Sequence, residues 1–476
     1  MVLSCSDKFK QEYCCTVVQI GECFPIEGAD RIQRTVVNGM DMVISKTIKP
    51  GDIMIYAANE TQLERKFLAK NNLFSISDFE YNENGCHVGR LLLEGKNDEA
   101  KALCGFFNKY GRVKMLKLKG VYSLGFLFPP EYLNNWMPDL KLKAEDLTAL
   151  VGTDFDTVNG ELFVKAYIPE PRDPGKLHQR GAGPKPKEKR LDTLVDPFPF
   201  HYDSKQLQRE IEKFTPDMVI AITVKVHGTS AIYSRRFGRI PLALPWWQKV
   251  VNLFAKPFGK EPYHPYTVGM RNYYSSRRVI LNRYQSPKDT RITPTNDEYA
   301  KVYKDVAPLL SDNMTVYGEI VGFKPYGGKH IQTNYDYMCR PGECVFMPYR
   351  IIQDGVEWDM EDVIRWVVEK HFTTHTIVGP ELLYHGPFKD LYPNIPVDEN
   401  WHKNVLKAMK QDKERLGMEL NEPLCKNKVP REGVCIRVDG HPELGNFKLK
   451  CSKFLDKESS RVDAGEIDPE SIEAYS

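Results

Sequence analysis

A basic stretch rich in proline and glycine divides the chain between residues 169 and 190. Seven of its 22 residues are Lys or Arg, and it contains no run of apolar side chains. Such a segment cannot bury a core, so it predicts a solvated tether between two separately folded parts. The alternative is a basic strap that lies over phosphate groups. The break predicts one domain over residues 1–168 and another over residues 191–476.

The part before the tether predicts a β-rich module. Short runs of β-branched and aromatic residues, separated by Gly and Pro, are typical of several short strands. These runs lie at residues 16–20, 42–45, 53–56, 112–118 and 122–127. The pattern favours a partly open β-barrel similar to an OB-fold, with residues 59–111 as an insertion of mixed character.

Four cations mark a candidate surface for nucleic acid on this module. Arg112, Lys114, Lys117 and Lys119 lie among apolar residues along one predicted strand. A β-surface with several cations suits phosphate contacts along an RNA duplex, although an ordinary solvated barrel face is equally compatible. Because the net charge of the whole chain is only +2, any polyanion site must depend on local clustering.

The composition favours a protein of a reducing compartment, cytoplasmic and not secreted. Eleven scattered cysteines suit free thiols better than a disulfide framework. No run reaches the roughly 18 apolar residues that cross a bilayer, and residues 1–10 lack the apolar segment of a signal peptide. Trp246, Val250, Leu253 and Phe254 share one helical face, which favours a helix packed on its own domain over a membrane contact. We expect no membrane partner, and a monomer is favoured.

The part after the tether predicts an α+β domain. Residues 205–214 and 359–370 have the spacing of helices, whereas strands are predicted at residues 218–224, 316–321, 434–438 and 447–450. Lys225 directly follows the first of these strands, and Gly228 permits a tight turn to which a ligand can approach closely. A single lysine of this kind is usually just solvated, so support must come from residues further along the chain.

Later segments supply cations, carboxylates and an aromatic ring. Each has an ordinary explanation alone, as an edge-strand acid, a core ring or a solvated strand face. Two of the lysines share one face of a strand, since side chains alternate along it. In chain order, these candidate residues are Arg277, Glu319, Phe346, Glu432, Lys448 and Lys450.

In this order, the segments resemble the nucleotidyltransferase motifs of the covalent ligase and capping-enzyme superfamily. The stretch Lys-Val-His-Gly-Thr-Ser at residues 225–230 is similar to RNA ligases rather than DNA ligases. Residues 26–31 and 114–128 resemble the N-terminal OB module of the family 5 RNA ligases. The resemblance implies a β-barrel module followed by an antiparallel-sheet nucleotidyltransferase domain, which is ATP-grasp-like.

The resemblance also implies an activity, which is ATP-dependent joining of RNA 5′-phosphate and 3′-OH ends through AMP attached to Lys225. The implied substrate is a nick with an RNA 3′-OH, in RNA repair. Glu432 and Glu319 would hold Mg²⁺ or Mn²⁺, and Phe346 would stack on adenine. The full set of implied ATP-binding residues is His227, Gly228, Arg277, Glu319, Phe346, Glu432, Lys448 and Lys450. For His227, a structural role is about as compatible.

Attack by Lys225 requires a neutral amine. A free lysine has a pKa of about 10.4, so removing its proton at pH 7 costs about 4.6 kcal/mol. We expect burial, a divalent cation, Lys448 and Lys450 to lower this pKa. Val224 stands where related ligases often have an acid, so how adenine is recognised stays open.

Two other classes of function remain as alternatives. The first is a DNA ligase or a capping guanylyltransferase. It is disfavoured because only 26 residues follow Lys450, too few for the C-terminal OB domain of those enzymes. The second is a non-catalytic RNA-binding protein, which the retention of both acids and both C-terminal lysines disfavours.

Overall fold

The computed structural model describes residues 2–168, 191–243, 245–255, 265–285 and 297–463. The chain divides into two compact units, Met1–Glu170 with Leu455–Ala464 and Pro171–Phe454 with Gly465–Ser476. The predicted tether at residues 169–190 lies outside the described residues. Among the helices described, none is long and apolar enough to cross a bilayer.

The first unit is built from short antiparallel strands and short helices. Its strands are β1 (Leu3–Ser4), β2 (Cys15–Gln19), β3 (Cys23–Pro25), β4 (Ile32–Val37), β5 (Met40–Ser45), β6 (Ile53–Ala57), β7 (Thr61–Leu63), β8 (Leu116–Leu118), β9 (Val121–Ser123), β10 (Phe126–Phe128), β11 (Asp154–Phe155), β12 (Thr157–Val158), β13 (Glu161–Leu162) and β14 (Val164–Ala166). Its α-helices are α1 (Arg65–Lys70), α2 (Gly85–Leu93), α3 (Asn97–Ala102) and α4 (Glu131–Trp136). Single 3₁₀ segments lie at Gln11–Tyr13, Ile76–Tyr81, Pro138–Leu140 and Ala144–Leu150.

The central sheet of this unit, with the order β10-β6-β2-β11, is buried on both faces. Val17 and Ile55 face one hydrophobic core together with Phe67 of α1. The alternate residues Val18 and Met54 face a second core. Because neither face is solvated, β6 is a continuous apolar run rather than an alternating one.

The predicted OB-like barrel is not confirmed. The described strands of the first unit form five separate sheets, with the orders β10-β6-β2-β11, β3-β4-β5, β1-β12-β13, β14-β7 and β8-β9, and no closed barrel is found among them. The observed class is mixed α/β with antiparallel sheets. Residues 59–111, predicted as an insertion, contribute Phe67, Phe74 and Phe107 to the main core. They are therefore part of the packed unit.

The second unit carries longer strands and helices. Its strands are β15 (Leu191–Asp192), β16 (Lys205–Gln206), β17 (Val219–Lys225), β18 (Thr229–Pro241), β19 (Tyr266–Ser275), β20 (Tyr284–Gln285), β21 (Met314–Gly322), β22 (Cys344–Gln353), β23 (Val356–Glu357), β24 (Leu382–Pro387), β25 (Gly433–Val438) and β26 (Asn446–Lys450). Its α-helices are α5 (Leu207–Glu210), α6 (Trp246–Ala255), α7 (Glu298–Val306), α8 (Met360–Thr374), α9 (Phe388–Leu391), α10 (Trp401–Gln411) and the start of α11 (Ser452–Asp463). Single 3₁₀ segments lie at Ile211–Lys213, Ala307–Leu309 and Pro442–Leu444.

Two five-stranded sheets form the centre of the second unit. Their orders are β16-β26-β25-β17-β24 and β19-β18-β21-β22-β23, and all neighbours are antiparallel except the pair β16 and β26. Strand β17 of the first sheet ends at Lys225, and β18 of the second sheet begins at Thr229. The intervening turn therefore crosses from one sheet to the other and carries Lys225 at its start.

Two helix predictions need correction. Residues 205–214 form the short strand β16, the single turn α5 and a 3₁₀ segment instead of one helix. Helix α6 forms where it was predicted, but Trp246 and Val250 on its apolar face are 78% and 47% exposed. That face is therefore not packed on its own domain through these two residues. The side chains of Leu253 and Phe254 lie outside the described part of the chain.

Candidate active site

Three neighbouring strands, β17, β25 and β26, bring the predicted cations together. Because side chains alternate along strands, residues aligned in register project from the same face of the sheet. The register aligns two rows across the strands, the first being Lys225, Gly433 and Lys450, and the second Thr223, Cys435 and Lys448. The structure therefore places both C-terminal lysines on the face that carries Lys225.

Gly433 occupies the middle of the first row. Its φ of +145° is a conformation that residues with a side chain rarely adopt, and a Cβ there would lie 2.1 Å from the carbonyl oxygen of Leu449. The missing side chain lets the backbone of β26, at Leu449 and Lys450, approach closely. A carboxylate from the preceding residue, Glu432, is in contact with both lysines.

Glu432 connects the cations of the site. Its Oε1 atom lies 3.0 Å from Nζ of Lys225 and 3.5 Å from Nζ of Lys450, and its Oε2 atom lies 3.4 Å from Nδ1 of His227. Burial opposes the charged form of this carboxyl, but the positive charges of Lys225 and Lys450 outweigh burial. They hold the pKa of Glu432 well below its usual range.

Of the influences predicted to lower the pKa of Lys225, burial acts in the predicted direction but does not decide the result in the chain by itself. Burial is the largest single influence and favours the neutral amine, but the charges of Glu432, Cys435 and Glu319 and the hydrogen bond to Glu432 together outweigh it. The pKa of Lys225 is therefore raised, and the amine is held as a cation. Nucleophilic attack requires this ion pair to be weakened first.

Glu319 approaches the site from the second sheet. It lies on β21 opposite Ser230 of β18 and Met347 of β22, so these side chains share one face. Its charge acts on the Lys225 amine and raises the pKa of this amine, as that of Glu432 does.

The adenine-stacking role predicted for Phe346 is not supported. Phe346 pairs with Ile320, which alternates with Glu319, so its ring projects from the opposite face of the sheet. The ring is 0% exposed and meets Tyr233 edge-on at a centroid distance of 4.9 Å. Phe346 belongs to the core beneath the second sheet.

Arg277 pairs with Asp203, an acid that was not among the predicted site residues and that lies near the second row of the site. Its guanidinium pairs with the carboxylate of Asp203, and Arg278 lies 3.7 Å from the same group. Burial raises the pKa of Asp203, but the positive charges of Arg277, Arg278 and Lys448 outweigh burial and lower it. Asp203 thus lies within the influence of both Arg277 and Lys448.

The turn after Lys225 is closely packed. The ring of His227 lies edge-on to Tyr335 and Phe454, at centroid distances of 4.8 and 5.0 Å. At Gly228, a Cβ would lie 2.6 Å from the carbonyl oxygen of Ile320, so a side chain would push the turn away from β21. His227 therefore has a packing role as well as its contact with Glu432.

The carboxylates of Glu432 and Glu319 are hard oxygen donors of the kind that Mg²⁺ and Mn²⁺ prefer. Within the residues that the structure describes, no cluster of three or more His, Cys, Asp or Glu side chains is placed to hold a metal ion alone. Glu432 is also engaged with two ammonium groups. The pair therefore fits a divalent cation whose remaining ligands come from water or phosphate oxygens.

The four cations predicted to contact RNA do not lie on one strand. Strand β8 begins only at Leu116, and Lys119 is in the following turn with a φ of +49°. The Arg112 side chain is 1% exposed and lies 2.8 Å from both Glu60 and Asp463, so it is not available to RNA. Lys114 lies 3.2 Å from Asp463, whereas Lys117 and Lys119 are exposed.

Sequence comparison identifies the second unit. A family model described as RNA ligase matches residues 218–454, about half of the chain, and this range includes every candidate residue from Lys225 to Lys450. This part of the chain belongs to the RNA ligase family. Sequence comparison with curated proteins finds no match for this ligase.

Solved structures of a Naegleria gruberi RNA ligase are similar to this ligase along nearly its whole length. An apo variant is 17% identical, with a TM-score of 0.50, over 94% of this chain and 99% of that chain. The form with ATP and Mn is 17% identical, with a TM-score of 0.49, over 93% and 98%. The form with PPi is 17% identical, with a TM-score of 0.49, over 95% and 100%. At this identity, the similarity to the apo variant supports a shared fold.

Proposed function

We propose that this RNA ligase is ATP-dependent and that Lys225 is the nucleophile that receives AMP. The observation that carries the proposal is the position of the Lys225 amine, 3.0 Å from Glu432, in a cluster that also contains Lys450 and His227. The resemblance of the motifs implies ATP as the donor. Structures of the Naegleria gruberi ligase contain ATP with Mn, AMP with Mn, or PPi.

In the first step, Nζ of Lys225 attacks the α-phosphorus of ATP. The ammonium first gives one proton to water, because only the neutral amine can attack. The P–N bond then forms, the bond to pyrophosphate breaks with its electron pair, and the nitrogen releases a second proton to water. Lys448 and Lys450 share the face of Lys225, where their charges stabilise the phosphate oxygens as negative charge develops. Glu432 and Glu319 would hold a divalent cation, which would supply positive charge that weakens the ion pair of Lys225.

In the later steps, AMP passes from Lys225 to an oxygen of the RNA 5′-phosphate, and the P–N bond breaks. The RNA 3′-OH then attacks the activated phosphorus and AMP leaves. Arg277 is suited to bind phosphate, because a guanidinium forms paired hydrogen bonds with such oxygens. The proposed substrate is a nick with an RNA 3′-OH, in RNA repair. Exposed Lys117 and Lys119 remain candidates for contacts with its backbone.

The first test measures covalent transfer of labelled AMP from α-labelled ATP to the full-length protein, with Mg²⁺ or Mn²⁺ present. We expect label that survives denaturation in the wild type and in Lys213→Ala, but none in Lys225→Ala. Lys213 is a matched control, because its exposed amine also pairs with a glutamate, Glu210, in the same unit. Label from GTP but not from ATP would replace this proposal with a capping-type reaction.

The second test compares nicked duplexes that differ only in the sugar of the nucleotide with the 3′-OH. The proposal expects sealing with a ribose end and much slower sealing with a deoxyribose end. Equal rates would remove the proposed preference for RNA 3′ ends and leave the AMP transfer step untouched.

A further inference from the structure

We propose that Gln332 and Tyr337 are positioning residues that hold the turn after Lys225 in the geometry for attack. This inference rests on the proposed function, because it concerns the reaction of the same lysine. Both residues lie between β21 and β22, outside every sequence motif discussed above. Their hydrogen bonds go to the main chain of the turn, so their effect is exerted through the backbone.

Two hydrogen bonds hold this turn. The backbone N–H of His227 donates to the hydroxyl oxygen of Tyr337 at 2.6 Å. The side-chain amide of Gln332 donates to the carbonyl oxygen of Gly228 at 2.9 Å. Tyr337 and Gln332 are each only 6% exposed, so water competes little for these bonds. The two residues that follow Val226 are thus fixed from one side of the turn.

The same segment, residues 332–338, also contacts the backbone just before Glu432, the carboxylate partner of Lys225. The Tyr335 hydroxyl donates to the carbonyl of Pro430 at 2.8 Å, two residues before Glu432. The Tyr335 ring packs edge-on against His227. One short segment therefore contacts the backbone next to the nucleophile and the backbone next to its carboxylate partner. It is placed to set the distance between the two groups.

The backbone of this segment is itself unusual. Tyr337 and the next residue, Met338, have φ values of +45° and +59°, in the left-handed region that bulky residues rarely adopt. Such conformations persist where surrounding contacts hold them, and they cluster at functional sites. Here the contacts include the N–H of Lys426, which donates to Asp336 at 3.1 Å. The segment is thus held in a defined shape against the site.

In-line attack depends on the placement of the amine relative to the α-phosphorus. A displacement of about 1 Å in a catalytic group costs up to about 100-fold in rate. We therefore expect Tyr337→Phe to slow covalent AMP transfer by about 10- to 100-fold. The ATP concentration for half-maximal rate should change by less than about twofold, because the hydroxyl forms its hydrogen bond with the turn.

The experiment measures single-turnover AMP transfer on the full chain against ATP concentration, together with Tm, for four proteins. These are the wild type, Tyr337→Phe, Gln332→Met and the control Tyr392→Phe. The Tyr392 hydroxyl donates to Asp412 at 2.8 Å in the same unit, away from the site. The control thus also loses a hydrogen bond of a tyrosine hydroxyl, but to a carboxylate and not to the turn.

The inference is supported if both test variants lose rate at unchanged half-maximal ATP concentration while the control loses only Tm. It is overturned if the test variants react at the rate of the control. It is also overturned if either test variant loses its cooperative thermal transition, because the role is then structural. If the wild type takes up no label from ATP, the proposed function itself is refuted. Failure of the proposed function is therefore distinguishable from failure of the positioning role.

Discussion

Oε1 of Glu432 lies 3.0 Å from Nζ of Lys225, and each group holds the other in its charged form. Replacing the carboxylate with an amide removes the negative charge that Lys225 and Lys450 share in this site. We expect Glu432→Gln to reduce covalent AMP transfer by at least about 100-fold. We also expect it to lower the free energy of unfolding by about 3 kcal/mol, measured by urea denaturation.

Glu443→Gln is the control for this prediction. Glu443 also pairs with a potential cation, His441, but its side chain is 66% exposed. An exposed pair contributes little, so we expect no measurable change in stability and no change in rate. Normal AMP transfer by Glu432→Gln would exclude Glu432 from the reaction.

Phe346→Leu separates a core role from an adenine-binding role. Because the ring faces away from Glu319 and is fully buried, we expect a loss of about 1 kcal/mol in the free energy of unfolding. The ATP concentration that gives half-maximal AMP transfer should stay the same. A rise of tenfold or more in that concentration would support a role for Phe346 in binding adenine.

Arg112→Met should destabilise the first unit. The change leaves Glu60 without its buried guanidinium partner and removes a contact to Asp463, so we expect a loss of about 3 kcal/mol. The measurement is a thermal or urea transition of the full chain.

The same variant tests RNA contact. Because Arg112 is buried, the slope of log affinity for RNA against log salt should match the wild type in Arg112→Met. In Lys117→Ala, whose side chain is exposed, the slope should fall by about one if that amine contacts phosphate. A reduced salt slope in Arg112→Met would instead show that Arg112 contacts phosphate.

His201 makes stability depend on pH. Burial, with the positive charges of Arg277 and Arg350, lowers its pKa to about 4, although Asp203 and the backbone of Tyr202 act in the opposite direction. In the unfolded chain, the pKa is about 6.5. As pH falls from about 6.5 to about 4, the unfolded chain takes up a proton that the folded chain does not. The wild type should therefore lose stability over this range.

His201→Gln removes the titration while keeping a polar group for the Tyr349 hydroxyl, which contacts the His201 ring. Urea denaturation at pH 7 and pH 4 should show the wild type losing up to about 3 kcal/mol more than the variant. Parallel losses in both proteins would mean that other groups carry the pH dependence.

Local sequence signals predicted the elements of the site better than its arrangement. The apolar run before Lys225 and the glycine after it are features of neighbouring residues, and strand β17 with its turn lies there. The row of Lys225, Gly433 and Lys450 depends instead on strand order and register, which alternation within one strand does not encode. Cys435 and Asp203 were missed for the same reason.

Phe346 and Arg112 show two further limits of local patterns. Strand β22 is apolar on both faces, with Val345 and Met347 packed in one core and Phe346 in the other, so its pattern does not distinguish the face towards the site. Arg112 has acidic partners 52 and 351 residues away. A short alternating pattern cannot distinguish such a buried cation from a solvated one.

Because Gly433 has no Cβ, strands β25 and β26 pack closely, and this packing sets the spacing between the amines of Lys225 and Lys450. Conversion to alanine would force either strand β26 outward or the glycine backbone out of its positive φ, and each movement separates the charges that Glu432 joins. In a saturation mutagenesis screen for sealing, this position should tolerate as few replacements as Lys225, although it takes no part in any bond that is made or broken.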